Sequence, residues 1–438
     1  MKGELVMLEL PFLVFLGISL TVFLWAFYNV PILVAGVRNL FKNRAEGERV
    51  NSAREYSPTF SIIVPVKNEE KVVTRLLNSL ANLNYPEEKM EIVVVEDGSS
   101  DSTFEMCQDY AKKHAHVTIL HRDFSDGKPS ALNYGIRHAK GEIVAIFDAD
   151  NIPDSNALNL VSRYFEDSNV AAVQGKTLSI NSKENMLTQF ISYESAVYSE
   201  VYLRGKDVLG LFVHLTGSCQ FVRRSVLSNL EGFDENVLSE DIELSARLTE
   251  NNYKIRYASD VVAWQESPSK INTLFKQRTR WFRGVTELAF RYGRLMAKPN
   301  WRNFDAEATL FAPFILVASL LPYFAGSYAF LVIPFDVFWS YAVLFAILTT
   351  TATVLVCGFA LVYVTRPRKL GNVLWLPFVY FYWSFQAFIA LYAVLLIALR
   401  RPKKWIKTDR TGIITNSSMS FLSNSYNKQT KENKKGVE

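Results

Sequence analysis

Cysteine is scarce: the 438-residue chain holds three, Cys107, Cys219 and Cys357. They are far apart and form no pair with metal-ligand or redox spacing, so neither a disulfide framework nor a cysteine metal site organises the fold. A reducing compartment is consistent with that count. No internal repeat is visible. The first apolar stretch lacks a small-residue cleavage site and is longer than the core of a secretory signal, so it reads as a retained anchor. A general basic excess is missing too. The formal net charge of +5 comes largely from clusters at Arg38–Arg54, Arg366–Lys369 and Arg400–Lys407, beside apolar runs. A membrane surface accounts for these clusters, and no nucleic-acid partner is needed.

Charge is absent from Leu10 to Val37, a run longer than the roughly 20 residues that cross a bilayer. A transmembrane helix is expected over 8–37. From Ala308 to Val364 the only charge is Asp336, which leaves room for two spans broken near Pro334. A third apolar segment follows from Val373 to Leu399, so 306–400 is expected to be a membrane region of about three segments. The basic flank at Arg38–Arg54 puts the intervening polar portion in the cytoplasm. Arg400–Lys407 is equally basic, and the topology of the last segment stays open. Residues 269–300 mix Leu, Phe and Trp with arginines, as an amphipathic interfacial segment does. Residues 408–438 are rich in Ser, Asn, Lys and Thr and are expected to form a disordered tail.

Between Phe60 and Trp264, short apolar runs alternate with amphipathic stretches, the pattern of βαβ units and a parallel sheet. Strands are predicted at Ser61–Val66, Glu91–Glu96, Val117–His121 and Ile143–Phe147. Val72, Val73, Leu76, Leu77 and Leu80 recur at helical spacing. Further helices are predicted over Asp101–Lys113 and from Pro129 to His138, with proline at the first helical position, where its missing N–H is not needed. Ligands bind beyond the carboxyl ends of the strands in such sheets. Asp97 follows the second predicted strand, and Asp148 and Asp150 the fourth.

If the chain stays extended there, the period of two puts Asp148 and Asp150 on one side. Two close carboxylates are best tolerated beside a cation, and hard Mg²⁺ or Mn²⁺ prefers oxygen ligands and bridges to phosphates. Turn chemistry is the plainer alternative for an Asp-x-Asp after a strand. Lys128, beside a helix start, suits a phosphate neighbour, or is a solvated charge. Ser239 is placed to cap a helix whose first turn holds Glu240 and Asp241. Those acids complement the helix dipole, or Asp241 is an ionised general base. In Gln277-Arg278-Thr279-Arg280-Trp281, the indole is either an interfacial anchor or a face for a sugar ring.

In this order, Pro65-Val66-Lys67-Asn68-Glu69, Glu96-Asp97-Gly98-Ser99, Gly127-Lys128, Asp148-Ala149-Asp150, Thr216-Gly217-Ser218, Glu240-Asp241 and Gln277–Trp281 resemble the family 2 glycosyltransferases. The resemblance is strongest to the membrane-integrated polysaccharide synthases, above all those of poly-β-1,6-N-acetylglucosamine, with cellulose, chitin and hyaluronan synthases as relatives. It implies a GT-A fold, a Rossmann-like α/β domain over 58–268, with α-helical transmembrane segments. It also implies that Glu69, Asp97, Lys128 and Asp148 hold a UDP-sugar, that Asp150 with Asp148 binds Mg²⁺ or Mn²⁺, and that Asp241 is the catalytic base. Glu240, Gln277, Arg280 and Trp281 then line the acceptor and diphosphate side. Position 96 is Glu where many relatives carry a second Asp, and position 239 is Ser where cellulose synthases usually carry Thr. The expected activity is inverting elongation of a β-linked polysaccharide through the membrane helices. A non-processive alternative transfers one sugar to a polyprenyl phosphate or glycolipid. The expected partners are the donor, a polysaccharide or lipid-linked acceptor and the bilayer, with any accessory membrane subunit unidentified.

Overall fold

A computed structural model describes residues 2–45, 56–297, 300–332, 362, 370–403, 408 and 410–415. The chain divides into two compact units. One comprises 43–195, 210–277 and 404–438, the other 1–42, 196–209 and 278–403.

The first unit is built on one mixed sheet. It begins β1 (Phe60–Val66), α1 (Val73–Ala81), β2 (Met90–Asp97), α2 (Thr103–Ala111), β3 (Val117–Arg122), α3 (Lys128–His138) and β4 (Ile143–Ile146). These are the predicted elements within a few residues of their ends. It continues with β5 (Ile152–Pro153), α4 (Ala157–Ser162), β6 (Val170–Ser179), α5 (Met186–Val197), β7 (Gln220–Arg223), α6 (Arg224–Asn229), α7 (Glu240–Glu250) and β8 (Lys254–Gln265). The eight strands lie in the order β3-β2-β1-β4-β7-β6-β8-β5. From β3 to β4 every pairing is parallel. β7 then runs antiparallel to both β4 and β6, so the parallel run expected from the alternation is unbroken only from β3 to β4, although β6 and β8 pair in parallel further along. β1, β2 and β4 are near-continuous apolar runs because helices cover them, whereas β3, at the sheet edge, is mostly half-buried or exposed. Val73, Leu76, Leu77 and Leu80 of α1 are buried in the same core as Ile62, Val64, Ile92, Val94 and Ala145. Truncating one such leucine to alanine costs about 2–5 kcal/mol.

The order turns at β1, with β2 on one side and β4 on the other. In open α/β sheets such a switch point opens a crevice beyond the strand ends. Glu69 lies just after β1, Asp97 ends β2, and Asp148 lies just after β4.

The second unit is helical. α8 (Lys2–Ala45) is a single long helix. A π-helical turn at Tyr198–Leu203 leads into α9 (Arg204–Val208). α10 (Ile271–Tyr292) passes from the first unit into the second and is followed by α11 (Trp301–Leu310), α12 (Ala312–Val332) and α13 (Leu376–Ala398). Among the described residues, two helical stretches are long and apolar enough to cross a membrane, Gly17–Lys42 and Leu370–Ala398. The pair Trp301–Leu310 and Ala312–Leu321, bent by 55°, makes a third if it is one span. Of the segments expected over 306–400, the part at 333–361 and 363–369 lies outside the described residues.

This unit contains a sealed ion pair. The Lys206 ammonium lies 3.0 Å from Asp305, both side chains fully buried. It also donates to Thr309 at 2.6 Å and sits 4.7 Å from the centre of the Tyr202 ring. The Tyr28 hydroxyl donates to the other Asp305 oxygen at 2.8 Å.

Candidate active site

The site starts from a half-buried lysine. Gly127 adopts φ +95 ahead of α3, a conformation that favours glycine, and Lys128 follows it into the cleft. Its ammonium lies 2.6 Å from Asp148 and 3.8 Å from Glu240, and donates to the Gly217 carbonyl at 2.8 Å. Burial alone would lower the lysine pKa, but Asp148, Glu240 and Asp241 outweigh it and hold the ammonium charged. Gly217 has φ +81, and a Cβ there would meet Asp241 Oδ2 at 3.1 Å and Lys128 Nζ at 3.4 Å. The bare backbone at 217 is what lets the two groups approach.

Asp241 stands in the first turn of α7, where its Oδ1 accepts from the Ile242 N–H at 2.9 Å. Ser239 occupies the N-cap position without a side-chain cap bond, contrary to the expectation from its residue type. Its carbonyl instead accepts from Glu243 N–H at 3.0 Å. The helix start supplies the favourable dipole in either case.

After β4 the chain turns rather than staying extended, with Asn151 N–H donating to the Asp148 carbonyl at 2.9 Å. The two aspartates therefore have different neighbours. Asp148 pairs with Lys128, and its N–H donates to Ser218 Oγ at 3.0 Å. Ser218 donates in turn to Asn151 at 2.8 Å. Asp150 is 2% exposed. Its Oδ2 accepts from Glu266 N–H at 3.0 Å and lies 3.3 Å from the Arg410 guanidinium.

Asp97 is buried at the end of β2, with Arg122 at 3.3 Å and a hydrogen bond from Ser125 Oγ. Burial raises its pKa, while Ser125, Arg122 and Lys67 work in the other direction. The neighbouring Glu96 is fully buried and structural: it accepts from Ser99 N–H at 2.6 Å and lies 2.6 Å from His121 Nδ1. Glu69 lies in the turn ahead of α1, its carbonyl accepting from Val72 and Val73 N–H and its own N–H donating to Thr103 at 2.7 Å.

Gln277 is buried on α10 at the end of the first unit. Arg280 and Trp281 belong to the second unit, where the Arg278 guanidinium lies 4.5 Å over the Trp281 ring. Trp281 is 37% exposed.

Among the described residues, no three acid, histidine or cysteine side chains form a ready cation cage. The donor set still suits Mg²⁺ or Mn²⁺. Asp148 and Asp150 offer hard oxygens, and a cation, the Arg410 guanidinium, already stands beside Asp150. Phosphate oxygens of a ligand would complete the coordination.

Sequence reasoning missed Arg410, Glu266, Ser218 and Arg75, whose guanidinium donates to the Asp150 carbonyl at 3.2 Å. Only Ser218 had a signal, the Thr216-Gly217-Ser218 motif. The expected tail at 408–438 begins with residues bonded to this unit. Thr411 N–H and Oγ1 donate to Glu266 Oε1, each at 2.6 Å, and Gly412 N–H to Oε2 at 3.0 Å.

Residues 58–284 match the model of the family described as glycosyltransferase like family 2. A β-monoglucosyldiacylglycerol synthase of Trichormus variabilis is 31% identical over 270 residues, 60% of this chain and 58% of that protein. A poly-β-1,6-N-acetyl-D-glucosamine synthase of Staphylococcus epidermidis is 30% identical over 243 residues, 55% of this chain and 58% of that protein. The chain thus spans a little under three fifths of the length of each. The mannosyltransferase PcManGT of Pyrobaculum calidifontis, solved with GDP-Man and Mn²⁺, has a TM-score of 0.61 at 19% identity. That likeness covers 89% of this chain and 99% of the other and extends to the fold. With a match over more than half its length, the chain belongs to the glycosyltransferase-like family 2.

Proposed function

We propose that the chain is an inverting glycosyltransferase that uses a nucleotide-sugar donor, a UDP-sugar, to elongate a β-linked polysaccharide at a membrane. The observation that carries this reading is the grouping of Lys128, Asp148, Glu240 and Asp241 around the bare Gly217 backbone. A half-buried ammonium among three acids is suited to a diphosphate, and an ionised carboxylate at a helix start is suited to accept a proton. Asp97 and Glu69, beyond the ends of β2 and β1, lie where a nucleoside would rest. Asp241 takes the proton from the acceptor hydroxyl as its oxygen attacks the anomeric carbon. Lys128 meets the donor phosphates, and Ser218 holds the Asp148 backbone in place. A divalent cation at Asp150 and Asp148 would offset the charge growing on the departing diphosphate. In the first unit Glu240 and Gln277 are assigned to the acceptor side; in the second, Arg280 is assigned to the diphosphate and Trp281 to stacking on a sugar ring.

The catalytic unit lies on the cytoplasmic face, and the helices Gly17–Lys42 and Leu370–Ala398 cross the bilayer more than once between them. The basic flanks support that orientation. Transfer of one sugar to a glycolipid is the second reading, favoured by the longer stretch shared with the monoglucosyldiacylglycerol synthase. Purified protein given radiolabelled UDP-sugars with membrane lipids separates the two. A ladder of long, water-soluble product is expected, whereas a single organic-soluble product would replace the first reading by the second.

A further inference from the structure

The turn at Thr216–Cys219 touches three residues of the candidate site, and what fastens it lies behind the site. Its Gly217 carbonyl accepts from Lys128 at 2.8 Å, its Ser218 Oγ accepts from the Asp148 N–H at 3.0 Å, and the bare Cα of Gly217 borders Asp241. Cys219 has φ +49, a left-handed value uncommon for any residue but glycine, and such strain persists only where the surroundings impose it. Two buried glutamines impose it here. Gln174 on β6 and Gln220 on β7 are register partners, 1% and 0% exposed. Gln174 Oε1 accepts from the Thr216 N–H at 2.8 Å, and Gln220 Oε1 from the Gly217 N–H at 3.1 Å. The hydrogens on Gln174 Nε2 are shared among the carbonyls of Gly175, Ser218 and Cys219, at 2.8, 3.0 and 3.3 Å. The Gly175 N–H donates to the Cys219 carbonyl at 2.8 Å, and a Cβ at position 175 would stand 2.5 Å from Cys219 Sγ.

We propose that Gln174, seconded by Gln220, is a positioning residue for transfer: it clamps the 216–219 turn so that an acceptor hydroxyl finds a fixed seat between Lys128 and Asp241. The inference rests on the proposed role of Asp241 as base. Among the described residues neither glutamine hydrogen-bonds to Lys128, Asp148 or Asp241, so its effect on the chemistry passes through the backbone of the turn. A shift of that backbone by about 1 Å displaces the Gly217 carbonyl from Lys128 and opens the gap beside Asp241, and misplacement of that size can cost about 10²-fold in rate. Donor binding is spared, because Asp97 and Glu69 stand on other strand ends and Lys128 keeps its pairing with Asp148. Hydrolysis of the donor is spared as well: water is small and free to turn, whereas a hydroxyl fixed on a larger acceptor cannot adjust.

The test uses full-length protein in detergent with membrane lipids and the radiolabelled UDP-sugar that it turns over, and counts sugar transferred against sugar released to water. The ratio of the two does not depend on how much of a preparation is folded. Gln174→Met keeps the shape of the side chain without its amide. It is expected to lower transfer about 10²-fold and the ratio of transfer to hydrolysis at least about tenfold, while affinity for UDP measured by calorimetry stays within about threefold of wild type. Gln220→Met removes one hydrogen bond where Gln174→Met removes four, and should lower the ratio by a few-fold only. If Gln174→Met fails to fold, the ratio in Gln220→Met decides. An unchanged ratio, even with both rates reduced, overturns the proposal and leaves the glutamines as supports of the sheet. Transfer near the wild-type rate in Asp241→Asn, run alongside, would instead sink the base assignment on which the inference rests.

Discussion

The Lys206–Asp305 and Lys128–Asp148 pairs serve different ends. Lys206 and Asp305 are both fully buried, and each has further partners, Thr309 for the lysine and Tyr28 for the aspartate. Lys128 is 15% exposed and its partner Asp148 29%, with Glu240 and Asp241 near enough to compete for the same ammonium. The first pair is sealed and complete. The second has more acids than cations and a route to solvent, so an incoming anion can rearrange it without exposing an unpaired charge in the interior. A shared residue pairing therefore says little by itself; the accessibility of the acid and the surplus of carboxylates mark the pair that handles a ligand.

The largest expected effect lies at the open pair. Asp241→Asn should lower transfer by about 10²–10⁴-fold, the usual contribution of a positioned base, while donor binding measured by calorimetry stays within a few-fold of wild type. Turnover close to wild type would remove Asp241 from the mechanism and leave Glu240 as the acid to examine.

The sealed pair should respond in stability instead. Replacing Lys206 by Met strands Asp305 in the interior, and breaking a buried pair on one side costs about 3–5 kcal/mol. The thermal midpoint in detergent should fall well below that of Lys128→Met, whose acids remain reachable by water. Adding Asp305→Leu to Lys206→Met should restore much of the loss, because a hydrophobic replacement of the whole pair is often neutral. Equal melting of the two single variants would erase the distinction drawn between the pairs.

The same contrast explains what was legible in the sequence. Strands β1, β2 and β4 were readable because parallel strands covered by helices are unbroken apolar runs, and the acids at their ends followed from the topology. β7 was not, since Gln220–Arg223 is too short to show any period and owes its direction to the neighbours it reaches. Lys128, Asp148, Glu240 and Asp241 were each visible beside a strand end or a helix start. The Lys206–Asp305 and Arg410–Asp150 contacts join residues far apart in the chain, and no local pattern announces such a meeting. Ser239 had the right residue type for a cap, yet its side chain makes no cap bond, because propensity names a preference that local geometry decides.

The smallest expected effect concerns Asp97, which sharpens the comparison by showing a site residue that weakens the fold it belongs to. Its carboxylate is 4% exposed, and burial raises its pKa despite Ser125, Arg122 and Lys67. A raised carboxylate pKa means that the folded chain holds this proton more tightly than the unfolded one. Ionisation then subtracts stability as pH rises through the folded value, and nothing is subtracted below the unfolded value of about 3.9. Asn keeps the shape without the charge, so Asp97→Asn should melt higher at pH 7.5. The gain should shrink as the buffer is taken down toward pH 4, while affinity for UDP at pH 7.5 falls because the nucleoside has exchanged a charged acceptor for a neutral one. A melting point that drops at neutral pH would mean that the ion pair with Arg122 outweighs the burial of the charge. Asp97 would then join Lys206 and Asp305 as a residue that holds the fold together.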